Sequence, residues 1–107
     1  MPQRLMICTN SAMGPTYGAS AEQRNQITSF LQVKGWEVWH WFEDLWFVVV
    51  PNGSVTPKGL REEISTSILG NTKYILVLDV SGGQIVYSGF GNKDGWPWMA
   101  EKWGKPE

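Results

Sequence analysis

Apolar and polar positions alternate between two periods along the chain, and the period predicts each element. Arg4 to Thr9, RLMICT, is short and almost wholly apolar, the pattern of a central buried strand. The polar stretch NSAMGPTYGAS follows, punctuated by Gly14-Pro15 and Gly18, and reads as loop. Ser20 and Gln23 have capping-box spacing, so a helix is expected from Ser20. Ile27, Phe30, Leu31 and Val33 form its buried stripe, and Gly35 ends it. Trp36 to Phe42 and Leu45 to Val50 are dominated by β-branched and aromatic residues, with Glu43-Asp44 as a tight turn between two hairpin strands. Thr56-Pro57 opens a second helix with Leu60, Ile64 and Ile68 on one face, and Gly70-Asn71 stops it. Lys73 to Val80, KYILVLDV, reads as another central strand.

The remainder is a tail. Ser81-Gly82-Gly83 is a turn, Gln84 to Ser88 a short strand, and Gly89 to Gly95 a turn-rich stretch. Trp96 to Trp103 reads as a helix with Pro97 at its start and Trp96, Met99, Ala100 and Trp103 on one face. The order β-α-β-β-α-β predicts an α+β, ferredoxin-like domain over residues 1–107. It is a four-stranded antiparallel sheet with two helices on one face, and right-handed crossovers set its topology. The hairpin is apolar on both faces, and two helices cover only one of them. The tail, 81–107, or a partner chain must therefore cover the other.

Composition adds limits. A chain of 107 residues is enough for one domain with a single core and not for two domains. The net charge of −1 argues against a broad nucleic-acid-binding face. One cysteine allows no internal disulfide and makes a reducing cytoplasm the simplest setting. The start has no signal-peptide pattern, and no run approaches membrane-spanning length.

The chemistry-bearing residues are few. His40, the single histidine, has the reach of a general base or ligand, but its aromatic neighbours point to a packed strand histidine. Cys8 lies in a buried strand and reads as a small core residue. Asp79 shares a strand face with Ile75 and Val77, so its carboxylate needs a partner or a metal. Glu37, Glu43 and Asp44 read as solvated charges at the hairpin ends. One Cys and one His make no zinc spacing, and Gly89-Phe90-Gly91 matches no phosphate loop. Trp39, Trp41, Trp46, Trp96 and Trp98 are candidates for a binding surface. The scattered cations favour a protein partner over a nucleic acid there.

Several of these stretches together resemble the SinR-like small proteins, relatives of the CRISPR adaptation endonucleases and of VapD-type toxins. They are Gly14-Pro15 with Tyr17, Trp39-His40-Trp41 with Trp46-Phe47-Val48, Thr56 to Leu60 with Leu76 to Gly82, and Trp98 to Trp103. The resemblance implies a ferredoxin-like homodimer. In active members an acidic residue ending the first strand binds a divalent metal for phosphodiester cleavage. Thr9-Asn10 occupies that position here, with no Asp or Glu nearby in sequence, and magnesium prefers carboxylate oxygen.

The leading expectation is thus a non-catalytic, homodimeric protein-interaction module without a cofactor, working through the sheet face or edge built by the hairpin and tail. A metal-dependent nuclease is the alternative, with magnesium near Asn10, Asp44 or Asp79. A small-ligand or nucleotide binder using the Trp cluster is a third.

Overall fold

The computed structural model describes residues 2–83, 85–89 and 95–106. Strand β1 (Gln3–Thr9) alternates buried and half-buried side chains. Gln3, Leu5, Ile7 and Thr9 face one side, and Arg4, Met6 and Cys8 the other. The chain then forms a 3₁₀ turn, Ser11–Met13, and a short helix α1 (Gly14–Tyr17), where the sequence reads as loop. The positive φ of 78° at Gly14 and the proline in the first turn make this possible. Residues 72–74 strap the segment down. The Lys73 ammonium donates to the carbonyls of Pro15 and Gly18, Thr72 donates to that of Thr16, and the Tyr17 and Tyr74 rings stack with centroids 5.0 Å apart.

Helix α2 (Ala21–Val33) starts at the expected capping box: the Ser20 hydroxyl accepts from Gln23 N–H, and the Gln23 side chain accepts from Ser20 N–H. Ile27 and Leu31 are buried and Phe30 packs beside them, but Val33 is 87% exposed. Six residues beyond Ile27, Val33 lies about 120° round the helix from the buried stripe. Gly35, at φ 80°, makes the turn out.

Strands β2 (Glu37–Phe42) and β3 (Leu45–Val50) form the hairpin, with a register irregularity between His40 and Phe42. Helix α3 (Pro57–Ile64) is capped by Thr56, whose hydroxyl accepts from Gly59 N–H. It runs on into a π-helical turn, Ser65–Leu69, which buries Leu69 and leaves Ile68 half-buried. Strand β4 (Ile75–Asp79) completes a four-stranded, wholly antiparallel sheet in the order β2-β3-β1-β4. Strand β1 is central, as its sequence predicts. Strand β4 is not: it is the outer strand beside β1, and an apolar run alone does not distinguish the two positions.

The tail carries β5 (Val86–Tyr87), helix α4 (Trp96–Trp98) continued by a π-helical turn at Met99–Trp103, and β6 (Lys105–Pro106), which pairs parallel with β5. Gly104 admits the chain there, because a Cβ at that position would strike the Ile85 backbone. Gln84 and residues 90–94, within the strand and turn expected from sequence, lie outside the described residues.

Two apolar layers enclose the sheet. Under α2 and α3, Leu5, Ile7, Trp46, Val48, Val50 and Val77 meet Ile27, Leu31, Leu60 and Ile64. On the other face, Phe47 and Val49 are buried against Met99 and Trp103. Ala100 is exposed, since the π-helical turn shifts it off the face expected from α-helical spacing. No helix among the described residues is long and apolar enough to cross a membrane.

Candidate interaction surface

Alternation along the hairpin decides where each aromatic side chain goes. Trp39 and Trp41 are two residues apart on β2 and share the face that meets the tail. Their rings stack at 5.1 Å, and Trp96 meets both edge-on, 5.8 Å from Trp39 and 5.0 Å from Trp41. Trp98 lies 6.1 Å from Trp39, and Trp103 packs its edge on Phe47 at 4.9 Å. Trp39, Trp41, Trp96 and Trp98 are all half-buried, their faces largely spent on one another.

Trp46 is not part of this group. It points to the opposite face and is completely buried beneath α2. Its indole N–H donates to the Thr28 hydroxyl at 2.9 Å. His40 stacks on it with centroids 4.4 Å apart. The His40 ring is held at both nitrogens: Nε2 is 2.7 Å from the Glu43 carbonyl, and Nδ1 is 3.2 Å from the Thr28 hydroxyl. Nε2 therefore carries the proton in the neutral ring, and Nδ1 accepts. With both nitrogens engaged, His40 orients the strand and the indole beneath it.

Asp44 departs from its expected place. It is no solvated turn residue but ties the hairpin to the end of β1. One carboxylate oxygen accepts from the Thr9 hydroxyl at 2.5 Å. The other accepts from the Ser11 hydroxyl at 2.6 Å and the Ser11 N–H at 3.1 Å. The hairpin thus supplies, in space, the carboxylate missing beside Thr9-Asn10 in sequence. Contacts between residues so far apart along the chain leave no local signature. Asn10 itself is exposed.

Partial burial alone would raise the Asp44 carboxyl. The Ser11 and Thr9 hydroxyls, the Ser11 N–H and the charge of Arg24 outweigh it and hold the group below the ordinary carboxylate range. Burial, helped by the Asp44 charge, pushes the Cys8 thiol up, away from thiolate chemistry.

A carboxyl depressed on folding contributes stability that is full above its unfolded value and is lost as pH falls through the folded one. Asp44→Asn is therefore expected to cost about 2 kcal/mol at pH 7, the scale of hydrogen bonds to a charged group. It is also expected to flatten the loss of stability below about pH 4. Urea denaturation at pH 7 and pH 3 checks this. Equal acid losses in the two proteins would contradict it.

Asp79 ends β4 and is exposed. Its carboxylate accepts from Ser81 N–H and from Gln3 Nε2, both at 2.9 Å, and the Ser81 hydroxyl, Gln3 and the Ser81 N–H together hold it below the ordinary range. Asp79 stands opposite Leu5 on the β4 side of β1, and Asp44 reaches Thr9 from the β3 side, four residues or about 13 Å further along the strand. They cannot share one metal ion. Among the described residues no three His, Cys, Asp or Glu side chains converge.

An apolar surface is left open at β4. Tyr74, Leu76 and Leu78 are 49%, 53% and 40% exposed. Leu76 and Leu78 stand on the same sheet face as Met6 and Cys8, beside the half that the tail covers. No described residue pairs with the outer side of β4. The sequence reading does not single these residues out, because it takes the strand as central. The order of elements holds the missing signal, since a final strand returning by a right-handed crossover lands outside β1.

Comparison with protein-family models, with curated proteins and with solved structures found no match to this chain.

Proposed function

We propose that this chain is a non-catalytic, homodimeric protein-interaction module on a ferredoxin-like sheet, working through its β1–β4 side. The antiparallel order β2-β3-β1-β4, with α2 and α3 on one face, supports the ferredoxin-like assignment. One observation carries the function. The tail seals the β2–β3 half of the second face, while Leu76 and Leu78 remain open on an outer strand, with half-exposed Tyr74 just before it. Natural sheets blunt such edges with charged side chains, proline or bulges, and Ile75–Leu78 has none of these, the one charge being Asp79 at the strand end. An apolar edge left unguarded is a surface made to be covered.

Self-association is the occupant this reading favours. Light scattering across a dilution series is expected to give twice the chain mass of 12.1 kDa at micromolar concentration and above. A monomer over the whole series would sink the homodimer.

A further inference from the structure

We propose that two copies of this chain join β4 to β4 in antiparallel register about a two-fold axis at Val77, making one continuous eight-stranded sheet. This rests on the homodimeric reading above and specifies the contact.

Backbone geometry selects the register. Thr9 N–H donates to the Asp44 carbonyl, and Val80 N–H donates to the Arg4 carbonyl, both at 2.9 Å. Peptide groups along a strand alternate in direction. Hence Gln3, Leu5, Ile7 and Thr9 bond toward β3, whereas Arg4, Met6 and Cys8 bond toward β4. On β4 itself, Leu76, Leu78 and Val80 bond inward to β1. The N–H and carbonyl groups of Ile75, Val77 and Asp79 therefore point outward. A two-fold axis at Val77 pairs these groups completely: Val77 with its own copy, and Ile75 with Asp79 in both directions.

Side chains agree with this register. It sets Leu76 of one copy opposite Leu78 of the other at a non-hydrogen-bonded position, where strands approach most closely. The two-fold repeats the pair, so four half-exposed leucines stand side by side in one patch on the face that Met6 and Cys8 share. An isologous contact needs a surface complementary to itself, and this strand meets that demand.

Charge supplies an independent argument. A cavity of about 300 Å³ beside Ile75 is lined by Arg61 and Lys73. The same register brings the second copy's Asp79 opposite Ile75, on the face that Ile75 and Val77 share. A carboxylate thus arrives at a basic recess. Arg61 is accessible to meet it, with only the exposed Glu62 at 3.7 Å as an ion-pair partner among the described residues.

Cross-linking tests the register. On a Cys8→Ala background, Leu76→Cys and Leu78→Cys chains are prepared separately, mixed, and oxidised. Both sites are about half exposed, and circular dichroism confirms folding before the assay. In the proposed register the mixed pair has Cα atoms about 4.5 Å apart, within disulfide range. Identical positions are offset diagonally by about 7–8 Å, beyond it. The mixture is expected to yield disulfide dimers, and each variant alone almost none. A dimer by light scattering with no mixed cross-link would overturn the β4 register and leave the homodimer standing. Equal cross-linking of Leu76→Cys alone would overturn the register as well. A monomer by light scattering would remove the homodimer and the register together.

Discussion

Trp46→Ala is expected to cost about 3–5 kcal/mol, the range for emptying a buried aromatic site. That is a large share of the ~5–15 kcal/mol that holds a typical domain together. Trp46 is the largest of the fully buried side chains, and it sits where β3 meets α2. Removing the indole leaves a void the two elements cannot easily close, since His40 is tethered at both ring nitrogens and cannot drop into it. The Thr28 hydroxyl also loses its indole donor. Urea denaturation followed by far-ultraviolet circular dichroism measures the loss without depending on the six remaining tryptophans. A cost under 1 kcal/mol would show that α2 and the hairpin are not locked together through this ring.

The second large effect is on the other face. Trp103→Ala is expected to cost about 3 kcal/mol and to expose a surface as well as weaken the fold. Trp103 is 3% exposed and meets Phe47 edge to face at 4.9 Å, with Met99 buried beside it. Without it, Phe47 and Val49 lose their cover, and the tail keeps mainly the half-buried contacts of Trp96 and Trp98. Amide hydrogen exchange separates this from general unfolding. Residues 96–106 are expected to lose protection first, while α2 keeps its own. Equal loss in both places would mean that the two apolar layers unfold as one unit. The substitution leaves β4 untouched, so the mass of the proposed dimer is expected to survive it.

The elements were readable because their signals are local. Ser20 with Gln23, and Thr56 with Pro57, mark helix starts by satisfying backbone groups within one turn. The hairpin's composition and period place β3 at Leu45–Val50, while β2 begins one residue later than read, at Glu37. The misreadings have physical causes too. Val33 follows the helical stripe in sequence but has rotated off it. Ala100 belongs to a π-helical turn whose period differs from the one assumed. The short helix α1 is held by Lys73 and Tyr74, more than fifty residues away, which no local pattern records.

Function-bearing geometry was less legible, for the same reason. Grouping the tryptophans by type joins Trp46 to Trp39 and Trp41, yet strand alternation sends it to the opposite side of the sheet. Asp44 looks like a solvated turn residue until the β1–β3 pairing brings it to Thr9 and Ser11. By itself, the sequence determined the helix starts and the hairpin, through forces acting within a few residues: capping bonds, turn geometry and the alternation of side chains. Only the tertiary structure decided which strand lies on the edge, which tryptophans meet and where the Asp44 carboxylate is spent, because each depends on contacts between segments far apart in the chain.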